Sequence, residues 1–419
     1  MTPRYNLTGK IVCLLLLAIP ICAKAQYTGT ASVTQGVATI VTPNLYECTG
    51  GRKGAIGTIT ATDNTVWTVP AVVQYMDFKF PFASDLYNEC KGFEYPTAGV
   101  ALSKLDGSDV ITIDSTGEVV TGFIFADNYF EMYVNGKQIG KDNVPYTPFN
   151  SSIVRFRVKM PFTIAMHLVD WEENLGIGTE AMGGTPHHDG DGGMVAVFYD
   201  ENVPPNILAT TGADWKAQTF YTSPIIDLSC PTENGSMRLS DKCTTQDSND
   251  GSKYYALHWA VPTTWMNTDF DDSSWPAAST FANSMVGVDN KKSYTNFTAQ
   301  FDNPSNDAQF IWSTNLILDN EVIVRKTVTK TSSVSETKTE DDRISTYPNP
   351  AGNTLNISLD NTMKLNDIHT ISIYNSYGEK VYASNTYSPV ISLEHFTSGL
   401  YLIKIQFSKY QITKKLIVQ

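Results

Sequence analysis

The sequence predicts an all-β protein, with one enlarged or two tandem β-sandwich or jelly-roll domains followed by a small C-terminal β-sandwich. Three observations support this prediction. Short runs of alternating apolar and polar residues, such as Phe130–Val134 and Ile153–Val158, are typical of strands with one buried face. Turn-forming Gly, Asn, Asp and Pro residues separate these runs. Apolar residues at helical spacing are scarce, so helices should contribute little to the core.

The composition suits a folded protein with an acidic surface. Of the 419 residues, 17% are charged and 11% are aromatic, which excludes a disordered acidic chain. The formal net charge is −13, and most of the acidity lies between residues 26 and 326. Because nucleic acid binding requires a basic surface, nucleic acid is not expected as a partner.

Residues 1–25 have the three-part pattern of a secretory signal peptide. Arg4 and Lys10 supply the basic start, and residues 11–22 form the apolar run. Ala23-Lys24-Ala25 then offers small residues to a signal peptidase. The apolar run is shorter than the ~20 residues that a transmembrane helix needs. The sequence therefore predicts export, with a mature chain that begins at Gln26.

Four cysteines lie beyond the predicted signal peptide: Cys48, Cys90, Cys230 and Cys243. An even number of cysteines in an exported chain indicates disulfide bonds, here two. Three pairings can be drawn, and we favour Cys48–Cys90 with Cys230–Cys243 because each pair is local in the sequence. No CxxC motif occurs, which argues against a zinc ribbon or a dithiol redox site.

The rest of the chain divides by composition. Residues 26–326 form the predicted β-sandwich region, and a boundary between two subdomains would fall near residue 200. Residues 327–343 contain no aromatic residue and few apolar ones, which is typical of a linker. Residues 344–419 contain short alternating strands broken by turn residues, which predicts a small antiparallel β-sandwich.

Several motifs occur in order within residues 344–419. The residues that carry them are Tyr347, Pro348, Asn349, Pro350, Gly399, Tyr401, Lys414 and Lys415. With these motifs the segment resembles the type A C-terminal sorting domain of the type IX (Por) secretion system of Bacteroidetes. The resemblance implies export across the outer membrane, with the secretion machinery and its sortase as partners. It also implies that the protein is released or attached to surface lipopolysaccharide.

A second resemblance lies in the region before the linker. Asn135-Gly136 between two strand-like runs is a strong indication of a β-hairpin. Residues 127–137 look like the central hairpin of galactose-binding-like jelly rolls, and Asp269–Ala278 is similar to the opening of such domains. Phe310–Ser313 with Leu318–Arg325 resembles the strand pair that follows. The order differs, because here Asp269–Ala278 comes after the hairpin. The resemblance implies glycan binding and a structural calcium ion.

A glycine-rich loop contains the candidate metal ligands, which are His187, His188, Asp189 and Asp191. Imidazole suits zinc, whereas carboxylates together with backbone carbonyls suit calcium. The surrounding glycines permit the tight backbone wrapping that a cation site needs. Adjacent histidines on extended backbone point in different directions, and a surface loop without a ligand is the alternative.

The candidate ligand-binding residues follow a predicted strand and are His167, Asp170, Trp171 and Glu172. A Trp ring beside carboxylates can pack on the C–H face of a sugar while the polar groups bind its hydroxyls. The alternative is a Trp that caps the edge of the sandwich.

Two arginines, Arg155 and Arg157, alternate along one strand and therefore share a face. Such a basic stripe could neutralise a uronate or sulfate, as a polysaccharide lyase requires. The alternative is a solvated strand face.

These observations predict a secreted or cell-surface protein that binds or helps to process extracellular polysaccharide. One alternative is an enzyme, either a β-jelly-roll polysaccharide lyase or a glycoside hydrolase. The other is an adhesion or structural surface protein without a small ligand. The region before the linker contains no G-x-S-x-G, H-E-x-x-H or phosphate-loop motif. No catalytic residue is assigned, and calcium is the one cofactor that the sequence implies.

Overall fold

The computed structural model describes residues 27–246, 251–303, 306, 308–329, 344–359, 368–375, 379–407 and 411–419. The predicted signal peptide and most of the predicted linker lie outside the described residues. The chain divides into two compact units, one that ends at Thr329 and one that begins at Lys330. Both units consist mainly of strands, as predicted.

The strands of the first unit have the following bounds. They are β1 (Ser32–Gln35), β2 (Thr39–Thr42), β3 (Ile56–Thr60), β4 (Val66–Val69), β5 (Ser84–Asn88), β6 (Phe93–Glu94), β7 (Val110–Thr112), β8 (Glu118–Asp127), β9 (Tyr129–Val134), β10 (Lys137–Lys141), β11 (Ser151–Val158), β12 (Phe162–Val169), β13 (Thr179–Met182), β14 (Thr185–Asp189), β15 (Gly193–Asp200), β16 (Ile207–Thr210), β17 (Lys216–Ile225), β18 (Thr232–Asn234), β19 (Met237–Leu239), β20 (Tyr255–His258), β21 (Ser279–Phe281), β22 (Phe310–Trp312) and β23 (Asp319–Val328).

Two large sheets form an enlarged sandwich. Sheet I has the strand order β1-β20-β17-β23-β12-β9-β10. Sheet II has the order β21-β22-β15-β8-β11-β5-β6, with β16 beside β15 and β7 beside β11. Both sheets contain strands from either side of residue 200, so the first unit is one enlarged sandwich and is not divided there.

The two sheets share one hydrophobic core. Sheet I contributes alternate residues, including Ile164, Met166 and Leu168 of β12, because side chains on a strand point to opposite faces in turn. Strands β8 and β15 of sheet II are buried on both faces, as their nearly continuous apolar sequences indicate. Residues on the outer face of sheet I form smaller separate clusters.

Helices are few and short. They are α1 (Ala98–Leu102), α2 (Asn283–Val286), α3 (Lys292–Thr295) and α4 (Thr298–Phe301), with three further 3-10 turns at Glu89–Lys91, Gly107–Asp109 and Gly251–Lys253. Tyr294 of α3 packs edge-on against Phe125 of β8, with ring centroids 5.7 Å apart. Among the residues that the structure describes, no helix has the length and apolar character needed to cross a bilayer.

Two local predictions are confirmed. Asn135 and Gly136 have φ angles of 51° and 77° and connect β9 to β10 as a tight hairpin. The disulfide bonds join Cys48 to Cys90 and Cys230 to Cys243, as the local pairing predicted.

One boundary differs from the prediction. Thr327 and Val328 were expected in the linker, but they are the last residues of β23 and pair with Thr163 and Phe162. Val328 is buried in the sandwich core, since it continues the apolar alternation of its strand.

The second unit is a small antiparallel β-sandwich, as predicted. Its strands are β24 (Ile344–Tyr347), β25 (Thr354–Leu359), β26 (Ile368–Asn375), β27 (Lys380–Ser384), β28 (Val390–Ser392), β29 (Gly399–Phe407) and β30 (Gln411–Val418). A three-stranded sheet has the order β24-β25-β28, and a four-stranded sheet has the order β27-β26-β29-β30. The two sheets bury their own core, to which Leu355, Ile403 and Leu416 belong.

Candidate functional site

His167 lies on β12 and points to the outer face of sheet I, away from the core between the sheets. It is 5% exposed and lies between two buried carboxylates. The Nε2 atom is 2.8 Å from Glu321 Oε1, and the Nδ1 atom is 3.7 Å from Glu131 Oε2. Burial lowers the pKa of His167, but hydrogen bonds to Glu131 and Glu321 outweigh burial and raise this pKa to about 10. His167 is therefore a positively charged group inside the protein.

Two chain segments cover His167, one that contains Gln74 and one that contains Trp265. The Gln74 backbone N–H and the Tyr129 hydroxyl both donate to Glu131, the latter at 3.1 Å. The ring of Trp265 lies beside the imidazole of His167, with the two ring centroids 6.2 Å apart. Because these segments exclude solvent, a sugar in solution does not reach His167 in this structure.

Trp171 is also buried, which corrects the expectation that its ring carries a sugar. The side chain is 1% exposed, and its Nε1–H donates to the Ala55 carbonyl at 3.0 Å. The ring packs edge-on against Tyr129, with centroids 5.9 Å apart. Trp171 therefore closes the edge of the sandwich, which was the alternative interpretation.

Glu172 is a buried structural carboxyl. It accepts hydrogen bonds from the Tyr221 hydroxyl at 3.0 Å and from the Gly176 N–H at 2.8 Å. Burial raises the pKa of Glu172 to about 8, although these hydrogen bonds lower it. Glu172 contacts other parts of the fold and is not directed at a ligand.

Asp170, by contrast, belongs to a group of carboxylates at one end of the sandwich. We call this group the acidic cluster, and its members are Asp127, Asp170, Glu180 and Asp191. Asp127 ends β8 and Asp170 directly follows β12, and the Asn128 N–H joins the two strand ends through a 3.1 Å bond to the Val169 carbonyl. The backbone of Gly190 lies against Asp170 and Glu180, so that an added Cβ would be 3.3 Å from Asp170 Oδ2. A glycine at this position lets the loop approach the carboxylates closely.

Two members of the acidic cluster are buried and two are half-buried. Asp127 and Asp170 are 2% and 3% exposed, whereas Glu180 and Asp191 are half-buried. Burial, together with the neighbouring carboxylates, raises the pKa values of Asp127 and Asp170 well above the usual range. The same causes raise the pKa of Asp191 to about 6. The Asp127 Oδ2 atom receives no hydrogen bond from the described residues.

Glu180 is held in place by a neighbouring cation. Arg52 Nη1 lies 2.7 Å from Glu180 Oε2, and the Tyr146 hydroxyl donates to Glu180 Oε1 at 2.7 Å. Arg52 also lies 3.6 Å from Glu173. These contacts fix the β13–β14 hairpin beside the buried carboxylates.

The candidate metal ligands point in different directions. His187 lies beside Tyr254 and the backbone of Gly251, whereas His188 lies near Asp191 and lowers its pKa. Asp189 is 6% exposed. Within the described part of the chain, no group of three or more His, Cys, Asp or Glu side chains is placed to hold a metal ion. The calcium or zinc site thus stays a prediction.

Arg155 and Arg157 lie on the outer face of β11 but are already engaged. Arg155 Nη2 pairs with Glu201 at 2.8 Å, and its Nη1 donates to the Asp106 carbonyl at 3.1 Å. Arg157 donates to the Gly117 carbonyl at 3.1 Å. These contacts leave little of the basic stripe to bind an anionic sugar.

The predicted residues therefore do not form one cleft. His167, Trp171, His187 and His188 each contact a different part of the fold. Asp170 and Asp191 are brought together, and the structure adds Asp127 and Glu180 to them. Asp127 could have been found from the sequence because an Asp lies at the end of each of two apolar strand-like runs, Asp127 at the end of β8 and Asp170 directly after β12.

The motif residues at the two ends of the second unit are joined through the contacts of Asn349. Its Nδ2 donates to the Lys415 carbonyl at 2.8 Å, and its Oδ1 accepts from the Ile417 N–H at 2.9 Å. The segment that follows β24 and includes Pro348 and Pro350 is thereby joined to the last strand, on which Lys414 lies.

The other motif residues lie on β29. Gly399 begins this strand opposite Val418, and the buried Tyr401 donates from its hydroxyl to the Thr397 carbonyl at 2.8 Å. A family model described as a secretion system C-terminal sorting domain matches residues 345–419. The protein is a type IX secretion cargo. This type IX cargo is exported to the cell surface or the extracellular space.

Comparison of the whole type IX cargo with known proteins adds little. No curated protein matches it. Similar solved structures include the β-glucuronidases of an uncultured Clostridium species, of Faecalibacterium prausnitzii and of Dictyoglomus thermophilum, with 9%, 10% and 8% identity. The matches cover 94%, 93% and 93% of the cargo and 46%, 45% and 44% of those chains, with TM-scores of 0.17, 0.16 and 0.14. The cargo spans less than half the length of these enzymes.

Proposed function

We propose that this type IX cargo binds extracellular polysaccharide through the acidic cluster. The observation that carries the proposal is that the half-buried Asp191 lies near the buried Asp127 and Asp170, close enough for its charge to raise their pKa values. Ionised carboxylates accept hydrogen bonds, and sugar hydroxyls donate them. Loops that follow strands at one end of a sandwich are also a usual place for a binding site.

The charge of the cluster selects the class of sugar. Carboxylates repel a uronate or a sulfate, and Arg155 and Arg157 are engaged by Glu201 and by backbone carbonyls. The ligand that fits is therefore a neutral polysaccharide.

A glycan array with the purified full chain tests this proposal. We expect binding to neutral glycans, and Asp191→Asn should weaken it by about 10- to 100-fold, because a hydrogen bond to a charged group is lost. Glu118→Gln is the matched control, since Glu118 is exposed and begins β8 at the strand end opposite Asp127. Binding that Asp191→Asn leaves unchanged would contradict the proposal.

A glycoside hydrolase is the second candidate function. It is favoured by the different pKa values of the carboxyl groups in the acidic cluster. A glycosidase requires one protonated and one ionised carboxyl group. Burial and the neighbouring carboxylates raise the pKa of Asp170 well above its usual range, whereas the pKa of Asp191 is raised only to about 6. New reducing ends that disappear in Asp191→Asn would support hydrolysis, and unsaturated uronate ends would indicate a lyase. If the protein neither binds glycans nor produces new chain ends, an adhesion or structural role is the remaining interpretation.

The predicted metal site and the predicted attachment to lipopolysaccharide each have a direct test. Calorimetry with Ca²⁺ and with Zn²⁺ tests the metal site, and the absence of heat for both would remove it. Immunoblotting of purified outer-membrane lipopolysaccharide for the cargo tests its attachment to that lipid.

A further inference from the structure

The four-stranded sheet of the sorting domain has exposed apolar side chains on its outer face. Alternation along β29 places Tyr401, Ile403 and Ile405 in the core, so Leu400 and Leu402 point outward. Ile417 of β30 lies opposite Leu400 in register and also points outward. Leu400, Leu402 and Ile417 are 45%, 43% and 37% exposed. Neighbouring exposed apolar side chains of this kind mark interaction surfaces.

Lysines surround this apolar strip. Lys404 and Lys380 lie over the ring of Tyr374, with their Nζ atoms 5.2 and 5.7 Å from its centroid. Tyr374 pairs with Leu402 in register, and Lys415 pairs with Leu402 from the other side. The strands β26, β27, β29 and β30 contain no Asp or Glu. The charged side chains on these four strands are therefore lysines.

We propose that this face, made of Leu400, Leu402, Ile417, Tyr374 and the three lysines, is the surface through which the sorting domain binds a protein of the secretion machinery. A sorting domain acts by being bound, and its own core residues are buried and cannot make the contact. The partner that fits presents an apolar strip edged by Asp and Glu, because apolar contact supplies affinity and opposite charges supply specificity.

Export of the full chain in its own bacterium tests the surface. Leu400→Glu with Leu402→Glu should lower the amount that reaches the cell surface by about tenfold, the loss expected when an apolar interface contact is replaced by a charge. Val390→Glu is the matched control, because Val390 is 47% exposed on β28 of the other sheet. Lys404→Glu with Lys415→Glu should also lower export, whereas the Arg variants at both positions should retain it.

Two further measurements separate a binding defect from misfolding and identify the partner. Thermal unfolding of each purified full chain should give the wild-type midpoint, since the substituted side chains are exposed. A photoreactive residue at position 402 should form an adduct with a secretion protein, and one at position 390 should not. Normal export of a folded Leu400→Glu/Leu402→Glu variant would overturn the proposal. An adduct at position 402 with lipid only, or with a second copy of this chain only, would also overturn it.

Discussion

The imidazolium of His167 compensates two buried carboxylates, and its removal should be strongly destabilising. His167→Leu removes the cation that lies between Glu131 and Glu321, for which we expect a loss of about 3–5 kcal/mol in the free energy of unfolding. Urea denaturation measures this loss. Met166→Leu is the matched control on the opposite face of β12, and it should cost less than about 1.5 kcal/mol. Similar losses in both variants would show that His167 is an ordinary core residue.

The raised pKa of His167 also predicts how the free energy of unfolding depends on pH. Its pKa is raised from about 6.5 in the unfolded chain to about 10 in the folded protein. The folded state therefore binds the proton more tightly, and the stabilisation is complete below about pH 6.5. It is lost as the pH rises through about 10. Unfolding midpoints measured between pH 6 and pH 10 should fall more steeply for the wild type than for His167→Gln, and parallel curves would refute this assignment.

Residue roles depended on contacts that are distant in sequence. The carboxylates around His167 come from β9 and β23, and the residue that accepts the Trp171 N–H is Ala55. Nothing near His167 or Trp171 in the sequence indicates these neighbours. The residue types at the end of β12 predict a polar site, and Asp170 does belong to a group of polar side chains. Which side chains are buried depends on the paths of loops, and a local sequence pattern does not predict these paths.

At the scale of elements, the contact of Asn349 with β30 should stabilise the sorting domain. Asn349→Ala removes two hydrogen bonds to the last strand, and we expect a loss of about 1–3 kcal/mol. Hydrogen exchange of the β30 amides in the full chain measures this locally. Asn356→Ala is the control, because the Asn356 Nδ2 donates a single hydrogen bond to the Tyr347 carbonyl. Equal protection of β30 in the two variants would argue against a special role for Asn349.

Strands were the elements most accessible to prediction, for a physical reason. The period of two along β11 and β12, and the Asn135-Gly136 turn, are local properties of the sequence. The order of strands in a sheet is a non-local property. For example, β17 and β12 flank β23, although they are far from it in the sequence.

For the whole molecule, the two disulfides should contribute unequally. Cys48–Cys90 spans 42 residues and Cys230–Cys243 spans 13. Loop-closure entropy then predicts contributions of about 4 and about 3 kcal/mol. Urea denaturation of Cys48→Ser/Cys90→Ser should therefore show the greater loss of stability, with Cys230→Ser/Cys243→Ser as the comparison. The reverse order would mean that the larger loop is already constrained in the unfolded chain.

The central position of β23 has a consequence for how the protein is made. This strand is the last of the first unit, and it lies between β17 and β12 in the middle of sheet I. A chain that emerges from the ribosome or a translocon with its N-terminus first delivers β23 only after about three quarters of its length. Until then β17 and β12 lack the strand that lies between them in the folded sheet. Sheet I can therefore be completed only shortly before the residues of the sorting domain emerge.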